Sequence, residues 1–97
     1  MSNPEIVAEM GRRFKEYRLA SNLTQQEIAE RAGVSIVTLR QFENGKTYNI
    51  NMCNFLALLR TVHCLEEMNN ILPEIPISAY EMAKILSKKP KRIKHGK

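Results

Sequence analysis

The sequence has no apolar run long enough to cross a bilayer: its longest, Phe55 to Leu59, falls far short of the ~18 residues a span needs. The opening residues, MSNPE, carry no basic-then-apolar leader, so a cytoplasmic protein with no membrane partner is expected. There are only two cysteines, Cys53 and Cys64, without CxxC spacing. That excludes a disulfide framework and makes both reduced packing residues. The two histidines, His63 and His95, complete no zinc pattern with them, and no metal is expected. The carboxylates, Glu66 and Glu67 among them, are spread over helix surfaces with no acid/base pair and no glycine-rich phosphate cradle. No catalytic residue, cofactor or small-molecule ligand is therefore expected. Internal repeats are absent, 97 residues leave no room for a two-domain enzyme, and no segment alternates as a strand would.

What is present is enough for one core, with 43% hydrophobic and 26% charged residues. The net charge of +5 hides a split. Residues 1 to 87 hold 9 basic and 10 acidic side chains, a net of −1, whereas the last ten, KKPKRIKHGK, hold 6 basic and no acidic ones. A near-neutral body thus precedes a cationic arm.

Helix start and stop signals recur along the body. Asn3-Pro4-Glu5 predicts a first helix capped by Asn3, with Met10, Phe14 and Tyr17 on one face, ending near residues 20 to 22. Thr24 to Glu27 is a capping box opening a two-turn helix, closed by Gly33, that carries Ile28, Ala29 and Ala32 inward. Ser35 caps a third helix, about Ile36 to Asn44, closed by Gly45. Asn51 caps a fourth, whose inward positions are read as Met52, Phe55, Leu56, Leu59 and Val62. A fifth is expected over Leu65 to Leu72, an extended connector over PEIP, and a short sixth from the Ser78 to Glu81 capping-box match to about Leu86. Lys88 onward reads as a flexible tail. The expected fold class is all-α, with five to six short helices.

Residues 24 to 45 place two short helices around one glycine turn, each opened by a capping residue and closed by glycine. That is a helix-turn-helix layout, in which the second helix enters the DNA major groove. At ~100° per residue, Ile36, Val37, Arg40, Gln41 and Asn44 of the third helix share one arc, with Thr38, Leu39 and Phe42 opposite. The first arc suits a base-reading surface: Arg grips guanine at two points, Gln grips adenine, and methyl groups meet the thymine methyl.

The run LTQQEIAERAGVSIVTLRQFENGK resembles the helix-turn-helix of the Xre family, typified by lambdoid phage repressors and Cro, with Gln25, Ala29, Gly33, Glu43, Asn44 and Gly45 at matching positions. RTVHCLEEMNNILPEIPIS, followed by a short helix and a basic end, is similar to a subset that includes HipB-like antitoxins. The resemblance implies a lambda-repressor-like fold that binds operator DNA and regulates transcription, as a repressor in the first instance. It implies that Gln25 bonds a phosphate, that Ser35, Ile36, Val37, Thr38, Arg40 and Gln41 occupy major-groove positions, and that Asn44 and Lys46 meet backbone phosphate. Arg18 and Glu43 match a pair that braces the first helix against the third. The chain departs from the family pattern at Ile36 and Val37, where polar residues are frequent. It departs again at His63, where relatives commonly have Gly, so that turn is expected to be less left-handed or strained.

Residues 1–72 are then expected to form the DNA-binding domain, 73–87 a connector and short helix, and 88–97 the basic arm. A homodimer is expected, because two copies reading half-sites ~34–36 Å apart gain affinity and specificity. Leu65, Met68, Ile71 and Leu72 are its candidate surface, or else they complete the core. Two alternatives stay open: an antitoxin that also restrains a toxin protein, and a protein-interaction module that has lost DNA binding. The tail is a solvated end, a set of phosphate contacts, or a dock for an acidic partner.

Overall fold

The computed structural model describes residues 1–47, 49–75 and 79–87. Six α-helices and one 3-10 turn, with no strand, make up the regular structure of these residues. They fall into two units, Met1–Glu67 and a second beginning at Met68.

In the first unit, α1 runs Asn3–Ala20, α2 Gln25–Ala32, α3 Ile36–Glu43 and α4 Met52–Thr61, with the 3-10 turn at Leu65–Glu67. Each helix has a local chemical cause at its start. Thr24 Oγ1 accepts from the Glu27 N–H at 3.0 Å while the Thr24 N–H donates to Glu27 Oε1 at 2.9 Å. Asn51 Oδ1 accepts from the Asn54 N–H at 2.7 Å to open α4. At α1 the cap is Ser2 rather than the expected Asn3, because Glu5 lies three residues beyond Ser2 and completes a reciprocal box with it.

All four helices are closed by a left-handed residue: Asn22 (φ 61°), Gly33 (φ 70°), Gly45 (φ 70°) and His63 (φ 61°). After α4 the His63 N–H donates to the Arg60 carbonyl at 3.3 Å and the Cys64 N–H to that of Leu59 at 2.9 Å. This nested pair of hydrogen bonds demands a left-handed residue at position 63. The expectation that His63 would lessen the left-handed turn is corrected, and the strained alternative is the one observed.

The core is Phe14, Ile28, Ala29, Val34, Leu39, Phe42, Leu58 and Val62. Packing joins α1 to α3, and α2 to both α3 and α4. Phe42 is its hub, with ring centroids 6.0 Å from Phe14 and 6.1 Å, edge-on, from Phe55. Gly11 rests on the Phe42 carbonyl, where a Cβ would lie only 1.8 Å from the oxygen, so α1 meets α3 backbone to backbone.

Several side chains differ from expectation. Tyr17 is half-exposed, because α1 turns it past the Phe14 row toward solvent. On α4 the buried residue is Leu58, joined by Val62 at its C-cap, with Phe55, Leu56 and Leu59 half-buried. Met52 is exposed, since the stripe centres one turn further along and leaves the first turn outside it. Cys53 in that same turn is also exposed, so only Cys64 fills a packing role. Burial, with Glu67 nearby, pushes the Cys64 thiol up.

The helix expected over 65–72 is divided into the 3-10 turn and α5 (Met68–Ile71). Glu67 bonds back three residues to Cys64 at 3.0 Å, which tightens the chain before the α-turn begins. In the second unit α6 spans Ala79–Ser87. The Ser78 cap and the tail 88–97 lie outside the described residues.

Candidate nucleic-acid interface

Helices α2 and α3 meet through residues 33–35, where left-handed Gly33 ends one helix and Ser35 starts the other. The Thr38 N–H donates to Ser35 Oγ at 3.0 Å, and the two hydroxyls lie 2.9 Å apart. Thr38 is therefore half-buried and engaged locally, while Ser35 is exposed. Leu39, Phe42 and Glu43 anchor the inner face of α3. The outer arc presents Val37, Arg40, Gln41 and Asn44, all exposed. Ile36, expected on that outer arc, is half-buried against the core, because the first turn of α3 leans toward Val34 and its neighbours.

The outer arc is braced from beneath. Arg18 donates through Nε to Glu43 Oε2 at 2.7 Å and through Nη2 to Oε1 at 2.9 Å, while its Nη1 reaches the Leu23 carbonyl at 2.9 Å. The side chains are 8% and 0% exposed. Gln25, at the first position of α2, donates Nε2 to Glu43 Oε1 at 3.1 Å. Its Oε1 accepts from Arg40 Nε at 3.4 Å. One continuous run of side chains thus links the buried ion pair to the exposed tip of α3. Sequence spacing alone did not reveal it, since its members lie 15, 18 and 25 residues apart.

Charge on this surface is sparse but not neutralised by carboxylates. Arg40 and the exposed Lys46 make no ion pair among the described residues. On α1, by contrast, Arg12 bonds Glu9 at 2.6 Å and Glu16 at 2.8 Å, and Arg13 bonds Glu9 at 2.7 Å. These arginines hold the Glu9 carboxyl down to about 2. Arg12 and Arg13 are thus already neutralised on α1, whereas Arg40 and Lys46 are not. The Lys46 N–H bonds the Gln41 carbonyl at 2.8 Å, fixing where the chain leaves the helix.

The candidate dimer residues divide between the units. Leu65 lies in the first and is half-buried. In the second, Met68 is half-buried, while Ile71 and Leu72 are exposed, Leu72 at 85%. Among the described residues no cluster of His, Cys, Asp or Glu is arranged to hold a metal ion, and no helix is long and apolar enough to cross a membrane.

Two short helices joined by a left-handed glycine, with a polar and apolar outer arc on the second, define the helix-turn-helix class of DNA-binding proteins. Residues 9–64 match the family described as Helix-turn-helix domain, more than half of the chain. The protein belongs to that family, and its architecture is the all-α, lambda-repressor-like one. A comparison with curated proteins found no match.

Proposed function

We propose that the chain is a sequence-specific duplex-DNA-binding protein of the Xre type that represses transcription by occupying an operator. The observation that carries this reading is the outer arc of α3, where Val37, Arg40, Gln41 and Asn44 are exposed together on a helix whose inner face is pinned by a buried ion pair. Arg40 and Gln41 supply paired donors and acceptors for base edges, and Val37 supplies methyl groups for thymine. Ser35 and Thr38 flank them at the helix start, and Ile36 offers only its half-buried edge. Asn44 and Lys46 set the register through phosphates, and Gln25 stands beside them at the first position of α2.

In this reading residues 1–72 form the DNA-binding domain, 73–87 a connector and helix, and 88–97 a basic arm adding phosphate contacts. The protein acts in the cytoplasm, on the nucleoid. Two copies pair through the surface of Leu65, Met68, Ile71 and Leu72, a role supported by the exposure of the last two. The HipB-like likeness of residues 60–78 favours one further possibility, an antitoxin that also binds a toxin protein and autoregulates its operon.

Fluorescence anisotropy on the duplex upstream of its own gene, against scrambled duplex, tests the reading. A preference of ~1000-fold or more, lost in Arg40→Ala, is expected. Equal binding to both duplexes refutes specific recognition, and no binding even at low salt shifts the function to protein interaction.

A further inference from the structure

Gln25 opens α2 at the edge of the recognition surface, yet both ends of its amide are engaged within the protein. The orientation of that amide follows from its neighbours. An ionised carboxylate only accepts and a guanidinium only donates. Nε2 must therefore face Glu43, at 3.1 Å, and Oε1 must face Arg40 Nε, at 3.4 Å. Glu43 has no freedom to turn away, because Arg18 bonds both of its oxygens.

We infer that Gln25 is a positioning residue for Arg40, fixing the guanidinium on the outer arc of α3 before DNA arrives. The inference rests on the DNA-binding reading above and deepens it. With Nε held by Gln25, the two terminal nitrogens of the exposed Arg40 remain as a fork for a ligand. Such a fork grips guanine O6 and N7 end-on. Base preference at the position Arg40 reads then depends on the first residue of α2 and, through Glu43, on the buried ion pair. A long side chain ordered in advance loses less freedom on binding, so the arrangement favours affinity as well as specificity.

This role differs from simple phosphate binding. Removing a side chain that only bonds a phosphate weakens every duplex alike, whatever its sequence. Removing a positioning side chain weakens the preferred duplex selectively, and only while Arg40 is present.

The test uses the full chain and a duplex that it enriches from a random-sequence pool, compared with the same duplex changed at each guanine in turn. Gln25→Ala, Arg40→Ala and the double variant complete a cycle. Gln25→Ala is expected to weaken binding to the enriched duplex about tenfold in the natural background and less than about twofold beside Arg40→Ala. It should flatten the preference at the same guanine that Arg40→Ala flattens. In the free protein, the Arg40 Nε–H resonance in a 15N-resolved NMR spectrum should shift and exchange faster with water in Gln25→Ala. The rest of the spectrum, unchanged, shows that the variant is folded. Additive effects on all duplexes, or an unmoved Arg40 resonance, overturn the positioning role and leave the DNA reading standing. A natural chain that enriches no sequence overturns both.

Discussion

Arg18 and Glu43, 25 residues apart, meet as a two-pronged ion pair with neither side chain appreciably exposed. The pair fastens the end of α1 to the end of α3, and the third guanidinium nitrogen caps the Leu23 carbonyl. Its geometry satisfies the charge from several sides, which is the condition under which a buried pair survives its desolvation cost. Removing one partner leaves the other charged and enclosed.

Glu43→Ala should therefore destabilise the protein by about 3–5 kcal/mol. Replacing both partners with methionine should cost far less, because no uncompensated charge remains. Urea denaturation of the two variants separates these outcomes, and equal destabilisation would contradict the account.

Gly11→Ala sets two opposing effects in competition. Helix propensity alone would stabilise α1 by about 1 kcal/mol. The added Cβ would stand 1.8 Å from the Phe42 carbonyl oxygen, so α1 must move off α3. Overpacking of this kind costs about 1–3 kcal/mol or more, and net destabilisation is expected. A thermal melt reads the sign directly.

His63→Gly should raise stability by about 0.5–1 kcal/mol, since the left-handed turn strains a residue with a Cβ. Equilibrium denaturation checks it, and the outer arc of α3 is untouched by the change. His63→Ala, which retains the Cβ, should bring no such gain.

Acid should destabilise the fold through α1 and the helix caps. Glu9 is held down to about 2 by Arg12 and Arg13, and the capping bonds with Ser2 and Thr24 lower Glu5 and Glu27. Carboxyls depressed in the folded state stabilise it fully above their unfolded value of about 4.3 and forfeit that contribution as protons bind below it. Stability should be level above about pH 5 and fall toward pH 2. In Glu9→Gln the fall should be smaller, as seen by denaturation at stepped pH.

Deleting residues 88–97 removes 6 of the 15 basic side chains and leaves a body of net charge −1. DNA affinity should drop, and the salt dependence should become shallower by ~0.9 log units per log salt for each phosphate that the arm had neutralised. An unchanged slope in anisotropy titrations would show that the arm does not touch DNA.

The helix-turn-helix was legible in the sequence because its signals are local. Thr24 with Glu27, Gly33, Ser35, Gly45 and Asn51 each act within a few residues, and each occupies its expected place in the structure. Ser2 and Asn3 are adjacent capping types, so the choice between them turns on the reach of Glu5. Periodicity on α4 points inward at Met52 and passes over Leu58, because a helical wheel gives a stripe but not where along it the neighbouring helix lies. Gly11 did carry a signal, as a glycine in the interior of an 18-residue helix marks a close approach. The Gln25 bonds left none, since they depend on how α2 meets α3 in space.

The eight residues of α3 are too few to hold helical form alone, because isolated helices shorter than ~12–15 residues are marginal in water. Its Phe42 carbonyl supports α1 and its Glu43 receives Arg18, so α3 and its exposed arc hold their form only while α1 is docked. Amide hydrogens of α3 should then exchange with solvent only through opening of the whole first unit, at the slow global limit. A protease that severs α1 would accordingly silence α3 without touching it.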